Sequence, residues 1–472
     1  MSPRVRAGLL ALGACLLLFR LNSPALWQDE SETALRAVSI QKTGLPRTHL
    51  DGTLVTAQPS LAAHEGTRSG IWTWNTWLPA YAAAASMAVL GRGPFAARLP
   101  FALAAWLALF LLTRLFEGEE DEAAGLASLA SLALCPAYLL FGRQSRYYAL
   151  TALGCVLALW AWRRLLADKP RAVLALVAAL QFLLHASFAS FAIAVLALGL
   201  DAALRGRECL KRRFLEAAAW TAALALPACL YFRIWDRPGN HLYGTAEGLE
   251  FLKTFLLWIA LFAVPPLLPA AAAAKSRKWP ALALGFAVLC GLAAEGGISR
   301  AAAALALAWL GWSAVRARAL ERQCLLWLGA SLALLSTSAA EPYGRYLMGA
   351  MPALAVLSGL WCSRLANGRA LPAAGLAAAL CAVNWAGWLP LRAASAVAAP
   401  SSPAETVSGM MRRRIRDAGP RSDLARFAGE LARGPEGYID AAARAIRARG
   451  GDGVVRRRQP VADVRGRREA HL

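Results

Sequence analysis

Apolar runs long enough to cross a bilayer alternate with short polar segments from Leu9 to about Leu391. A hydrocarbon core takes about 20 residues of helix to span, and a water-soluble fold has no use for so many such runs. The pattern predicts membrane helices over 7–22, 96–116, 123–142, 147–165, 171–184, 187–204 and 214–232. It continues over 249–272, 279–296, 301–317, 323–339, 345–362 and 369–391, about thirteen spans in all. The fold class is therefore an all-α polytopic membrane bundle; the period-two alternation of an outer-membrane barrel is absent. Two segments break the rhythm. Residues 21–95 form a first loop far longer than a connection requires, and long loops tend to be functional. Residues 393–472 form an Arg-rich tail whose apolar positions, in "DLARFAGELA" and "YIDAAARAIRA", fit a small helical segment before the chain turns polar. The division expected is thus a transmembrane domain over 1–392 and a soluble tail over 393–472.

Charge orients this bundle. Of 472 residues, 51 are Lys or Arg against 29 Asp or Glu, a net charge of +22. The excess sits in short loops and in the tail, and no nucleic-acid motif accompanies it, so membrane topology explains it and nucleic acid is not an expected partner. With the N-terminus inside, the loops "WRRLLADKPR", "LRGRECLKRR", "KSRK", "RARALERQ" and "SRLANGR" fall on the cytoplasmic side and all are basic. The opposite loops, including 21–95, "GRQSRYY" and "EPYGRY", are mixed, polar and aromatic. An odd number of spans sends the tail outside although its arginines favour the inside; long terminal segments obey the charge rule weakly, so the span count decides.

The basic start followed by an apolar run has the look of a signal peptide, but no small-x-small cleavage site follows cleanly, so an uncleaved first span is expected. The nine cysteines lie mostly inside apolar runs, with no CxxC pair, which fits buried thiols better than a disulfide framework or a metal site. Abundant alanine in the spans fits close helix packing through small residues.

Candidate chemistry gathers at the outward ends of the spans. Asp29 and Glu30 follow span one; they read either as solvated loop acids that cap the next helix or as a general base at the mouth of the bundle. Trp72, Trp74, Trp77 and Tyr81 read as an ordinary aromatic belt or as a helix lying in the interface. Arg143 and Arg146 are three apart and would share a helix face beside Tyr147, placed to grip phosphate or to snorkel toward lipid headgroups. Arg345 and Tyr346 enter a late span, and His185 sits at a turn between two spans, where a lone histidine is commonly structural. The halves show no internal repeat, and ionisable residues concentrate at span ends, Glu295 being a mild exception. Both features weigh against the rival reading of a transporter or lipid flippase. A third reading, a non-enzymatic scaffold with a partner-binding tail, has no specific support.

In order along the chain, "WQDESETALRAVSIQKTGLP", "AARLP", "GRQSRYYAL", His185 and "GRYLMGAMPALAVL" resemble the polyprenyl-phosphate-dependent glycosyltransferases of the GT-C superfamily. That group includes dolichyl-phosphate-mannose protein mannosyltransferases and the bacterial aminoarabinose transferases that modify lipid A. The resemblance covers roughly residues 5–391, and its specificity comes from motif order and topology. It implies a multi-pass enzyme of the bacterial inner membrane with its active site facing the periplasm. Such an enzyme moves a sugar, with inversion, from a polyprenyl-phosphate donor to a lipid, glycan or protein acceptor, among membrane lipids. By that match Asp29 is the catalytic acid with Glu30 in support. Arg143, Arg146 and Arg345, with Tyr147 and Tyr346, would bind the departing phosphate, and His185 is a weaker candidate. Some relatives hold a divalent metal with an acid in the second outside loop; here "GRQSRYY" has none, which puts a metal in doubt, and no other cofactor is implied.

Overall fold

A computed structural model of the chain describes residues 3–23, 25–55, 65–116, 121–234, 244–262, 297–339 and 343–386. The tail, the predicted span 279–296 and the second half of 249–272 lie outside the described residues. Fifteen α-helices are seen among those described. The first is α1 (Pro3–Leu18), followed by α2 (Gln28–Thr43), α3 (Leu78–Leu90), α4 (Pro94–Leu112) and the bent pair α5 (Glu122–Ala133) and α6 (Pro136–Gly142). Next come α7 (Tyr148–Leu166), α8 (Ala172–Ala186), α9 (Phe188–Arg205), α10 (Arg212–Phe232) and α11 (Thr245–Phe262). The last four are α12 (Gly297–Arg316), α13 (Ala319–Ser338), α14 (Met351–Leu365), entered through a 3-10 turn at Gly344–Ala350, and α15 (Ala370–Ala386).

Six of these helices are long and apolar enough to cross a membrane: α4 with its 3-10 extension to Phe116, α7, α9, α10, α12 and the Gly344–Leu365 unit. The α5–α6 pair, bent by 59° at Pro136, makes a seventh if it is one crossing. Proline at the first position of α6 removes a backbone donor where the chain turns. The other predicted spans that fall on described residues are also helical, but α1, α8 and α15 are short, while α11 and α13 include charged residues. In α11 one of those charges, Lys253, is buried against Glu250 and Ser299 at 3.4 and 3.1 Å.

Burial grades across the bundle. The Gly344–Leu365 unit and α7 sit at its centre, whereas α10 turns Leu215, Trp220, Leu224, Leu226 and Leu230 outward. An outward row of large apolar side chains is what a lipid-facing helix presents. Inside, small residues let backbones touch: a Cβ on Gly359 of α14 would collide with the Ser128 hydroxyl and come within 2.5 Å of the Ala124 carbonyl on α5. At the end of the bundle away from Asp29, the fully buried Asp201 of α9 accepts from Trp162 Nε1 at 2.8 Å, Arg205 Nε at 2.9 Å and Arg322 Nε at 2.7 Å. Arg205 and Arg322 were read from the sequence as topology charges; here they clamp α7, α9 and α13 together. Of the eight cysteines described, all are free and five are buried.

The long first loop is a built structure. After α2 closes on Gly44, whose φ of 77° suits a residue without Cβ, the chain forms a two-stranded ribbon, β1 (His49–Leu50) against β2 (Thr53–Leu54). Isolated bridges join Arg47 to Ile71 and Gly66 to Trp72 before α3 begins. The Trp72–Tyr81 stretch is thus not one interfacial helix. Trp72 is buried under the Arg36 guanidinium, 4.6 Å from its ring, and accepts through its carbonyl from Trp77 Nε1 at 2.8 Å. Tyr81, on α3, donates its hydroxyl to the Gly44 carbonyl at 2.6 Å, tying α3 to α2.

Candidate active site

Helix α2 carries most of the site because it is the polar helix of the group. Asp29 and Glu30 occupy its first turn, where exposed backbone N–H groups favour anionic side chains. Their fates then diverge. Glu30 is wholly buried: Arg98 of α4 grips both its oxygens, Nε to Oε1 at 2.8 Å and Nη2 to Oε2 at 2.6 Å. The Ser145 N–H donates to Oε1 at 2.9 Å and the Trp27 N–H to Oε2 at 3.3 Å, which closes the cap of α2. Arg98 also donates to the Leu21 and Ala25 carbonyls. Glu30 is thereby a clasp joining α2, α4 and the 143–147 loop, each of its oxygens already accepting two hydrogen bonds.

Asp29 points the other way. Its Oδ2 lies 3.4 Å from Arg345 Nη2 and 3.8 Å from Arg146 Nη2. The three side chains retain 14, 21 and 15% exposure respectively, so the cluster lies near the surface without being open to bulk water. Arg345 rests against the rings of Trp27, Tyr343 and Tyr346, at 5.1, 4.3 and 5.8 Å, which fixes its direction. Arg146 also reaches Glu32 Oε2 at 3.4 Å and Thr33 Oγ1 at 3.5 Å from its Nη1. Burial would by itself lower the Arg146 guanidinium, but Glu32, the Tyr148 phenol and Asp29 outweigh it and hold the group above its ordinary value. Burial pushes the Tyr147 phenol well up, with the neighbouring Tyr148 and Tyr346 adding to the shift, so Tyr147 stays a neutral hydroxyl. The Nε atoms of Arg146 and Arg345 are buried and have no hydrogen-bond partner among the described residues, leaving each guanidinium with donor capacity in reserve.

Behind Arg146 stands a residue that sequence reading passed over. Arg36, 1% exposed, joins Glu32 at 3.3 Å and Glu65 at 3.2 Å and donates to the Arg47 and Val55 carbonyls at 2.6 and 2.7 Å. Burial lowers its guanidinium from the usual value, and the two carboxylates oppose that shift. One signal was present: Glu32 and Arg36 are four apart on a helix, as an ion pair requires. The result is a run of alternating charge, Glu65–Arg36–Glu32–Arg146–Asp29–Arg345, anchored on α2, the first loop, the 143–147 loop and the 3-10 turn before α14.

Two further expectations change. Residues 143–147 are a loop between α6 and α7, so Arg143 and Arg146 share no helix face. Arg143 donates to the Phe19 carbonyl at 2.6 Å, at the end of α1. His185 is exposed at the end of α8 and makes no hydrogen bond or ion pair to the cluster, although its neighbour Ala186 lines an adjoining cleft. Asp29, Arg146, Tyr147, Arg345 and Tyr346 do come together. Among the described residues no group of three His, Cys, Asp or Glu side chains forms a metal-ligand set. Asp29 and Glu32 face guanidinium groups that a cation would have to displace, so this donor set does not fit a divalent metal.

No protein-family model and no curated protein matches the sequence. Solved structures do match. The crystal structure of ArnT from Cupriavidus metallidurans bound to undecaprenyl phosphate superposes with a TM-score of 0.54 at 16% identity, covering 95% of this chain and 72% of that one. The same protein in the apo state gives 0.52, with the same identity and coverage. The chain therefore has the all-α polytopic membrane fold that ArnT displays.

Proposed function

We propose that this chain is an integral membrane glycosyltransferase. It takes a sugar from a polyprenyl-phosphate-linked donor and passes it, with inversion, to a hydroxyl of a lipid, glycan or protein acceptor at the periplasmic face of a bacterial inner membrane. The observation that carries this reading is the placement of the Asp29 carboxylate between the Arg146 and Arg345 guanidiniums at one end of the bundle. Glycosyl transfer from a lipid phosphate needs those two functions side by side: a carboxylate for the proton of the attacking hydroxyl, and fixed cations for the charge growing on the departing phosphate. The fold likeness to a protein crystallised with undecaprenyl phosphate supports the donor class.

In the mechanism, Asp29 accepts the acceptor hydroxyl proton as the oxygen bonds to the anomeric carbon. The bond from that carbon to the phosphate oxygen breaks on the opposite face. Arg146 and Arg345 hold the phosphate, their unpartnered Nε–H groups adding donors, while Tyr147 and Tyr346 complete the wall. Glu30 and Arg98 keep the start of α2 in place, and Arg143 secures the neighbouring loop to α1. The test is release of undecaprenyl phosphate from undecaprenyl-phosphate sugars by the purified protein in nanodiscs. Mass spectrometry of glycolipids and glycoproteins in a deletion strain identifies the acceptor. Turnover that survives intact in Asp29→Asn removes the base assignment, and no turnover of any lipid-linked sugar removes the reading.

A further inference from the structure

Two connections lie side by side at the end of the bundle away from Asp29. The turn from α7 to α8 contains "DKPR" (168–171) and the link from α9 to α10 reads "RGRECLKRR" (205–213), together seven bases and two acids. An ion pair between Asp168 and Arg213 ties one to the other. The α7–α8 turn is firmly built: the Arg164 guanidinium donates to the Pro170 carbonyl at 3.2 Å, and the Lys169 N–H to the Arg164 carbonyl at 3.0 Å. It holds Asp168 and Arg171 at φ of 53° and 58°, a left-handed conformation that costs a residue with a Cβ. Three of the seven bases are answered within the protein, Arg205 by Asp201, Arg212 by Glu216 and Arg213 by Asp168. The other four, Lys169, Arg171, Arg207 and Lys211, are exposed, and their side chains make no hydrogen bond or ion pair among the described residues. Charge that only oriented the bundle could be scattered over all its loops; here four unanswered cations gather on two loops that the fold ties together. Directly inward of them the surface turns apolar. Leu174 lies one turn into α8 from Arg171, Leu215 one turn into α10 from Lys211, and Leu204 in the last turn of α9, all three exposed. Cations at the rim with apolar side chains one helical turn further in match the layering of a phospholipid, phosphate outermost and acyl chains inward. A soluble anion would meet the charges and leave the leucines uncovered.

We infer that this face binds an anionic phospholipid of the leaflet at that end of the bundle. The four bases take the phosphate headgroup, and the three leucines lie along the acyl chains. The inference stands apart from the glycosyltransferase reading, whose residues lie at the other end.

Native mass spectrometry of the purified full chain tests this by titration with phosphatidylglycerol and phosphatidylcholine of matched acyl chains. Wild type binds phosphatidylglycerol at least about tenfold more tightly, since each base near an anionic lipid adds about fivefold. Two double variants, Lys169→Gln with Arg171→Gln and Arg207→Gln with Lys211→Gln, each weaken that binding by about tenfold to thirtyfold and leave phosphatidylcholine within about twofold. The same charge removed from two exposed bases on other loops of that end, Arg318→Gln with Arg369→Gln, shifts neither lipid by more than about twofold. The four side chains hold no part of the fold together, and unaltered thermal melting confirms it. A control pair that loses as much as the others means diffuse attraction to the whole end and overturns the inference. So does a wild type that treats the two lipids alike, or double variants that lose neither lipid or both equally. Displacement of phosphatidylglycerol by glycerol 3-phosphate, which carries the headgroup charge without chains, overturns the lipid assignment in favour of a soluble anion.

Discussion

Asp29 of α2 and Arg345 of the turn before α14 meet with 3.4 Å between carboxylate and guanidinium. A carboxylate held by two arginines is masked as a base, and arginines held by a carboxylate are masked as phosphate ligands. On the proposed reading, donor binding undoes both at once. Replacing Asp29 by Asn then lowers turnover by about two to four orders of magnitude, as loss of a general base does, yet leaves undecaprenyl phosphate binding unchanged or stronger. Arg345→Ala does the reverse to binding. Equilibrium binding measured beside initial rates separates the two variants; parallel losses of phosphate binding in both would sink the masking argument.

The Glu30–Arg98 pair is buried on both sides and hydrogen-bonded throughout. Removing one partner of such a pair strands a charge and costs about 3–5 kcal/mol. Glu30→Gln and Arg98→Met therefore lower the melting temperature in detergent by several degrees and reduce activity through that loss. Asp29→Asn leaves melting almost untouched. Should Glu30→Gln abolish turnover while melting as wild type, Glu30 would be chemical after all.

The Trp258 ring of α11 fills the space that a Cβ on Gly344 would take. Gly344→Ala pushes the ring or the turn aside, costs about 1–3 kcal/mol as overpacking does, and displaces the adjacent Arg345. Pairing it with Trp258→Leu restores melting and phosphate affinity together. Rescue of one without the other would show that Trp258 does not set the position of Arg345.

At the opposite end, Asp201→Asn weakens the clamp across α7, α9 and α13. Stability falls by a few kcal/mol. Binding of undecaprenyl phosphate by the folded fraction stays at wild-type affinity, and a selective loss of binding would reveal coupling between the two ends.

What the sequence made legible follows from what is local. Apolar runs reported helices, and the polar ends of spans reported where Asp29, Arg146 and Arg345 would lie. The acidic pair could not be resolved into two roles, because the difference rests on Arg98, an arginine inside an apolar run that only the fold brings to Glu30. Arg143 and Arg146 have the spacing of one helix face, but the ladder of α7 begins only at Tyr148, after the Ser145 N–H has gone to Glu30. Trp72 read as a lipid anchor because an amphipathic ring looks the same whether it faces headgroups or a buried guanidinium.

The alternating run from Glu65 to Arg345 holds three acids and three bases, so its six side chains sum to zero charge. A lipid-phosphate sugar brings one negative charge as a diester and leaves a phosphate monoester bearing two. Over the same step Asp29 takes up a proton and loses its own. The negative charge facing Arg146 and Arg345 is therefore conserved through the reaction and only changes address, from carboxylate to phosphate. Cations that need not move while an anion does are already arranged for the transition state, and the aromatic braces on Arg345 hold that arrangement before the donor arrives.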